Sequence, residues 1–261
     1  MNDAFERLLL RAELLMARIE HMLPQPLHAP DWSSGVAFRY RKRSSGHGVL
    51  EPVRHVADIQ LGDLHAIEAQ KEKIQRNTLQ FVEGKPANNV LLTGARGTGK
   101  SSLVKACLNA YASRGLRLIE VDKQDMVDLP DIVQVVADRP EKFIVYCDDL
   151  SFEEGEPGYK ALKSILDGTV AATTPNVLIY ATSNRRHLLP EYMKENLSYT
   201  HTDDGEVHPG EVVEEKISLS ERFGLWVSFY PFSQEEYLRI TDQWLAAFKV
   251  PAAQWPAAHP E

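Results

Sequence analysis

The chain has 261 residues, 43% of them hydrophobic and 25% charged, with a formal net charge of −8. This length and apolar content can bury a large core in one domain or two small ones, and the acidic balance predicts no generic electrostatic attraction to nucleic acid. No apolar run approaches the length of a membrane span, and Asp3, Glu6, Glu13 and Glu20 among the N-terminal leucines are foreign to a secretory signal.

The first predicted element is an amphipathic helix over 3–23. Phe5, Leu9, Ala12, Met16, Ile19 and Leu23 recur at spacings of four and three and form one apolar stripe. Pro24 and Pro26 end it. The stripe fits a helix packed on the protein's own surface, or a short coiled-coil or partner-docking helix. From Pro24 to about Asp58 the composition of proline, glycine and serine predicts a loop or linker, basic over 36–55. Within it, Val36-Ala37-Phe38-Arg39-Tyr40-Arg41-Lys42-Arg43 interleaves aromatics with bases, a pattern that can bind phosphates and stack on bases but that is more often simply solvated. A helix over 64–82 follows, with Ile67, Ile74, Leu79 and Phe81 as its apolar positions.

Val90-Leu91-Leu92-Thr93 reads as a strand and Ser102 to Leu108 as a helix. Between them, Gly94-Ala95-Arg96-Gly97-Thr98-Gly99-Lys100-Ser101 has the spacing of a phosphate-cradling P-loop, and Ser102 completes the cradle. Glycines let the backbone bend so that amide hydrogens point inward, and the following helix N-terminus adds a partial positive charge. Lys100 is placed to reach the outer phosphates, and the Ser101 hydroxyl to ligate magnesium. Beyond it come a strand at Leu116–Val121, a helix near Leu129–Ala137 and the apolar strand Phe143–Cys147. Then follow a helix at Tyr159–Leu166, a buried strand at Asn176–Thr182 and an acidic stretch over 190–216 read as a surface insertion or hairpin. The last elements are a strand at Leu225–Phe229 and a helix from Ser233 to Phe248, with Ser233 and Glu236 as a capping box. Strands alternating with helices predict a three-layer α/β/α sandwich. Cys107 and Cys147 both fall in core elements without metal-ligand spacing, which suits a reducing compartment, so a soluble cytoplasmic protein is expected.

Strand ends carry the remaining chemistry. Asp148 and Asp149 follow the strand that ends at Cys147 and so reach the carboxyl edge of the sheet, where ligands bind in such folds. Asp148 is placed to hold magnesium, and Asp149 to orient or deprotonate an attacking water. Asn184, at the end of the next strand, is a neutral amide able to contact both the water and the terminal phosphate. Arg222, just before the last strand, is placed to neutralise phosphoryl charge from a neighbouring subunit.

This ordered set over roughly 59–248 resembles the AAA+ ATPases. More closely, Pro86–Leu92 leading into the P-loop, Cys147–Glu153, Ala181–Leu188 and Leu219–Leu225 look like a bacterial ATP-binding family catalogued as a domain of unknown function. The resemblance implies a parallel five-stranded sheet flanked by helices, ATP with magnesium, ring or dimer assembly, and the segment around Asp63 and Ile67 beside the adenine. Two departures stand out. Most AAA+ motors carry glutamate where Asp149 sits, so slow or partner-stimulated hydrolysis is expected; aspartate pairs also occur in helicase-loader-like relatives. Where the resemblance implies a helical lid, a truncated or reduced one is expected, with Arg239 the only arginine available there. The expected organisation is therefore 1–58 helix and basic linker, 59–230 ATPase core, and 231–261 the start of a lid with an Ala/Pro-rich tail. The expected function is an ATPase that remodels or switches a macromolecular partner. A nucleotide-gated DNA-associated loader with little turnover and a small-molecule P-loop kinase are the alternatives.

Overall fold

In chain order α1 spans Asn2–Met22, β1 Ala37–Lys42, β2 Gly48–Pro52, α2 Glu68–Val82, β3 Val90–Gly94, α3 Lys100–Tyr111, β4 Leu116–Glu120 and α4 Leu129–Val136. Then come β5 Lys142–Cys147, α5 Pro157–Asp167, β6 Val177–Ser183, β7 Thr200–His201, β8 Val207–His208, β9 Leu225–Phe229 and α6 Gln234–Ala247. The structure is a computed structural model and describes residues 2–22, 26–43, 46–152, 156–167, 174–184, 200–201, 207–208, 219–251 and 255. Seven strands form the main sheet in the order β2-β1-β4-β5-β6-β3-β9. All neighbours pair in parallel except β1 and β2, which are antiparallel.

Side chains alternate across each strand, and that alternation builds two cores. Leu91, Phe143, Val145, Cys147, Ile179 and Ala181 face α4 and α5, where Leu129, Ile132, Val136, Tyr159 and Leu162 meet them. Val90, Leu92, Ile144, Tyr146, Leu178 and Tyr180 face α2 and α3, packing on Ile74, Phe81, Leu103, Val104 and Cys107. With both faces covered, the central strands β3, β5 and β6 are nearly continuous apolar runs, and each fully buried Leu, Ile or Phe contributes about 1.5–3 kcal/mol. The expected three-layer sandwich with its five parallel strands is therefore present. Both cysteines are buried free thiols, and burial pushes each up to about 12.

Three expectations differ from what is observed. Residues 24–58, read as a loop, contribute β1 and β2 as two further strands of the sheet. Alternation turns Phe38 and Tyr40 into one core and Ala37 into the other, and Trp32 packs edge-on against Phe38 and Phe143 with ring centroids 4.7 Å apart. The flanking Pro, Gly and Ser residues mask this alternation in composition. The helix expected over 64–82 begins at Glu68. Leu61–Asp63 forms a 3-10 turn instead, Ala66 takes φ +60°, and the Lys71 ammonium ties this approach by donating to the Leu61 and Leu64 carbonyls at 3.2 and 2.9 Å. Finally, of the two readings of α1, packing on the protein's own surface is not seen among the described residues of its stripe. Phe5, Leu8, Leu9, Leu15 and Met16 are exposed, as are Leu10 and Leu14; Ile19 and Leu23 lie outside the residues whose side chains are described.

The acidic stretch falls largely outside the described residues, apart from an antiparallel pair that sets Thr200 opposite His208 and His201 opposite Val207. The capping box at Ser233 is formed, with the Glu236 carboxylate accepting from the Ser233 amide and hydroxyl at 2.8 Å each. Among the described residues no helix is long and apolar enough to cross a membrane.

Candidate functional site

The P-loop connects β3 to α3 across the carboxyl edge of the sheet. Gly94, Gly97 and Gly99 all have positive φ, at +130°, +76° and +87°. Gly94 also lies so close to β9 that an added Cβ would collide with the Phe229 carbonyl oxygen. Thr98 closes the loop internally by donating to the Ala95 carbonyl at 2.8 Å. Lys100 is buried, and its ammonium donates to the Gly94 and Ala95 carbonyls and to Asn184 Oδ1 at 2.8, 2.6 and 3.1 Å. Burial presses the ammonium below the ordinary lysine range, partly offset by the nearby Asp148 and Asp149 charges.

β5 and β6 deliver the polar groups opposite the loop. Ser101 donates to Asp148 Oδ1 at 2.7 Å, and the Thr182 hydroxyl donates to the same oxygen at 2.5 Å. Burial pushes the Asp148 carboxyl up, but the hydroxyls of Thr182, Ser101 and Tyr146 outweigh it and hold the group below the ordinary carboxylate range. Tyr146 is itself buried; burial drives its phenol upward, and its oxygen lies beside Ser101, Asp148 and Thr182 without meeting any of them in hydrogen-bond geometry.

Asp149 is turned differently. It adopts φ +51°, in the left-handed region. Its amide donates to Thr182 Oγ1 at 2.9 Å, and the next amide, of Leu150, donates to the Thr182 carbonyl at 2.7 Å. Its carboxylate accepts from Asn184 Nδ2 at 2.6 Å and lies 3.6 Å from the Arg96 guanidinium. The sequence-predicted residues Lys100, Ser101, Asp148, Asp149 and Asn184 thus form one connected cluster.

The cluster opens into a cleft of about 440 Å³. Arg96, Gly97, Thr98, Gly99, Lys100, Ser101, Ser102, Asp148, Asp149, Thr182 and Asn184 line its polar half, while Ile59, Leu64, Ile67, Phe232, Ile240 and Trp244 line an apolar half, with Asp63 and His65 at its side. Gly94 and Ala95 shape the loop from behind. Asp63 and Ile67 therefore both border this cleft. Sequence reading does not find Thr182, Tyr146 or the α6 pair Ile240 and Trp244. A threonine in a strand reads as strand propensity, and apolar residues four apart on a helix read as core packing.

Arg222 lies outside the cleft, ion-paired with Asp167 at the end of α5. Arg239 is also outside it; one turn back on α6, Glu235 lies at 3.9 Å. The basic stretch of β1 is engaged elsewhere. Arg39 pairs with Glu120, Lys42 with Asp128 and Arg43 with Glu51. Phe38 and Tyr40 are in the core, so the alternative of stacking bases on this segment loses both of its rings, and the more usual reading, a simply solvated run, gives way to ion pairs.

The order β4-β5-β6-β3-β9 of parallel strands, with a P-loop after β3 and two acids after β5, is the fold of the AAA+ P-loop domain. Solved structures agree at the level of fold. A mutant RuvB of Thermotoga maritima superposes with a TM-score of 0.50 at 14% identity, over 75% of this chain and 56% of that one. A chain of the HORMA:CdnC:Trip13 complex of E. coli MS115-1 does so with a TM-score of 0.50 at 12% identity, over 75% and 73%. The chain thus spans little more than half the length of the RuvB chain. Residues 33–259 match the model of the family described as "protein of unknown function (DUF815)", and the chain belongs to that family. No curated protein matches the sequence.

Proposed function

We propose that this protein is an ATPase that binds magnesium-ATP in the cleft and hydrolyses it to switch or remodel a macromolecular partner in the cytoplasm. The observation that carries the reading is the joining of two polar pairs at the mouth of the P-loop, Ser101 with Asp148 and Asp149 with Asn184. The donor set fits a triphosphate and its metal. Gly97 to Ser101 offer amides at a helix start, Lys100 supplies one cation, and Ser101 with Asp148 offers a hydroxyl and a carboxylate to a hard oxygen-seeking ion. Magnesium, when bound, would neutralise charge on the phosphates. The apolar half, with Trp244, Ile67 and Ile240, offers a purine a flat dry wall.

Asp149 is the group that would orient or deprotonate water, with Asn184 holding its carboxylate. Its pairing with Arg96 and its short side chain support slow turnover until a partner or a second copy draws Arg96 away. Arg222 would act on a neighbouring subunit's phosphates, which requires release from Asp167. The buried aromatics of β1 and the pairing of its Arg39 and Lys42 count against a DNA-binding role for that strand.

Asp149→Asn keeps the side-chain volume and removes the base. It is expected to leave magnesium-ATP affinity within about twofold and to lower phosphate release by about 10²–10⁴-fold. Equal phosphate release from the variant and the parent protein would remove Asp149 from the chemistry.

A further inference from the structure

The unused feature of the molecule is α1, a helix of 21 residues with an exposed stripe. At about 100° per residue, Leu15, Leu8, Ala12, Phe5, Met16 and Leu9 occupy an arc of about 120°. Phe5, Leu9, Ala12 and Met16 follow the four-three spacing of a coiled-coil seam, and Leu8 and Leu15 widen it on one side. A two-helix seam covers only the narrow strip. An arc this wide is covered when a helix has two neighbours, as in a closed bundle.

The charges say how those neighbours run. Glu13 and Glu6 lie about 40° and 60° beyond one edge of the arc, Arg11 and Arg7 about 40° and 80° beyond the other, and the exposed Leu10 and Leu14 stand on the far side between the two rows. The sequence continues both rows one heptad on, with Glu20 and Arg18. Two such helices packed antiparallel about a two-fold axis bring Glu against Glu and Arg against Arg. Packed parallel around a rotation axis, each helix presents its Glu row to the Arg row of the next, a heterologous contact that closes into a ring. The face is therefore complementary to itself in one direction only.

We infer that α1 is a self-assembly element, joining three or more copies of this chain through a parallel bundle in which the Glu6/Glu13 row of one copy meets the Arg7/Arg11 row of the next. The contact needs no residue of the cleft and is independent of the nucleotide reading. It nevertheless sets the copies side by side in one orientation, as an arginine supplied between subunits requires.

The test is sedimentation velocity on the full chain without nucleotide, over a wide concentration range. The parent protein should form trimers or larger. The double variants Glu6→Arg/Glu13→Arg and Arg7→Glu/Arg11→Glu should each weaken assembly by about tenfold or more, since every attractive contact becomes repulsive. Their equimolar mixture should recover it, because one then carries Arg on both edges and the other Glu on both. Leu9→Gln/Met16→Gln should lose assembly while the thermal unfolding midpoint, measured alongside, reports an intact fold. A parent protein that stays monomeric or stops at a dimer overturns the inference. So does assembly unchanged in both charge-swapped variants, or a mixture that fails to recover.

Discussion

Asp148 and Asp149 are adjacent in sequence but sit in different surroundings, and Thr182 makes the difference. Its hydroxyl donates to one acid and accepts the amide of the other, holding Asp149 in the left-handed region beyond the strand end. Thr182→Val keeps the shape and removes both bonds. Phosphate release should fall by about 10–100-fold, with metal-dependent nucleotide affinity weakened and metal-free affinity little changed. The acid limb of stability should move as well. A carboxyl held below its ordinary value adds stability that is complete above the unfolded value and disappears as pH falls through the folded one. Raising Asp148 by deleting its Thr182 donor therefore shifts the acid-unfolding midpoint to higher pH. An unshifted midpoint together with parental phosphate release would reduce Thr182 to packing. The acids, Asn184 and Lys100 are legible in the sequence because a buried strand must end at the ligand edge and a P-loop has fixed spacing. Thr182 is not legible, since its role depends on which neighbour strand stands beside β5.

Among the elements, the contact between β3 and β9 shows how the fold shapes the loop. β9 pairs with β3 over five residues and sets Gly94 against Phe229. No side chain fits between them, so Gly94 serves both the turn and the approach of β9. Gly94→Ala should destabilise the protein by about 1–3 kcal/mol or more, read from denaturant unfolding, because backbone must move to admit a methyl group. A variant as stable as the parent would mean that β9 lies farther away than described here. The central parallel strands β3, β5 and β6 are legible as nearly continuous apolar runs, which a sheet covered on both faces requires. The β1–β2 hairpin is hidden because its outward residues are arginine, lysine and glutamate, and its alternation is short. The start of α2 is hidden because a 3-10 turn and a left-handed alanine, tied by side-chain bonds from Asp63, Glu68 and Lys71 that leave no periodic signal, stand where a helical pattern already reads well.

At the scale of the molecule, the sheet brings a P-loop, two acids and an amide to one edge, and α6 lays Trp244 and Ile240 across the same cleft. Arg222 lies outside that cleft and is ion-paired with Asp167, so the role proposed for it between subunits requires that pair to open. The most direct measurement of the central claim is calorimetric titration of the full chain with magnesium-ATP, run beside Lys100→Ala. The parent should bind at one site per chain and the variant should lose binding by at least about a hundredfold, since a desolvated charge-assisted contact to phosphate is removed. No heat of binding from the parent, or equal affinity in the variant, would contradict the account.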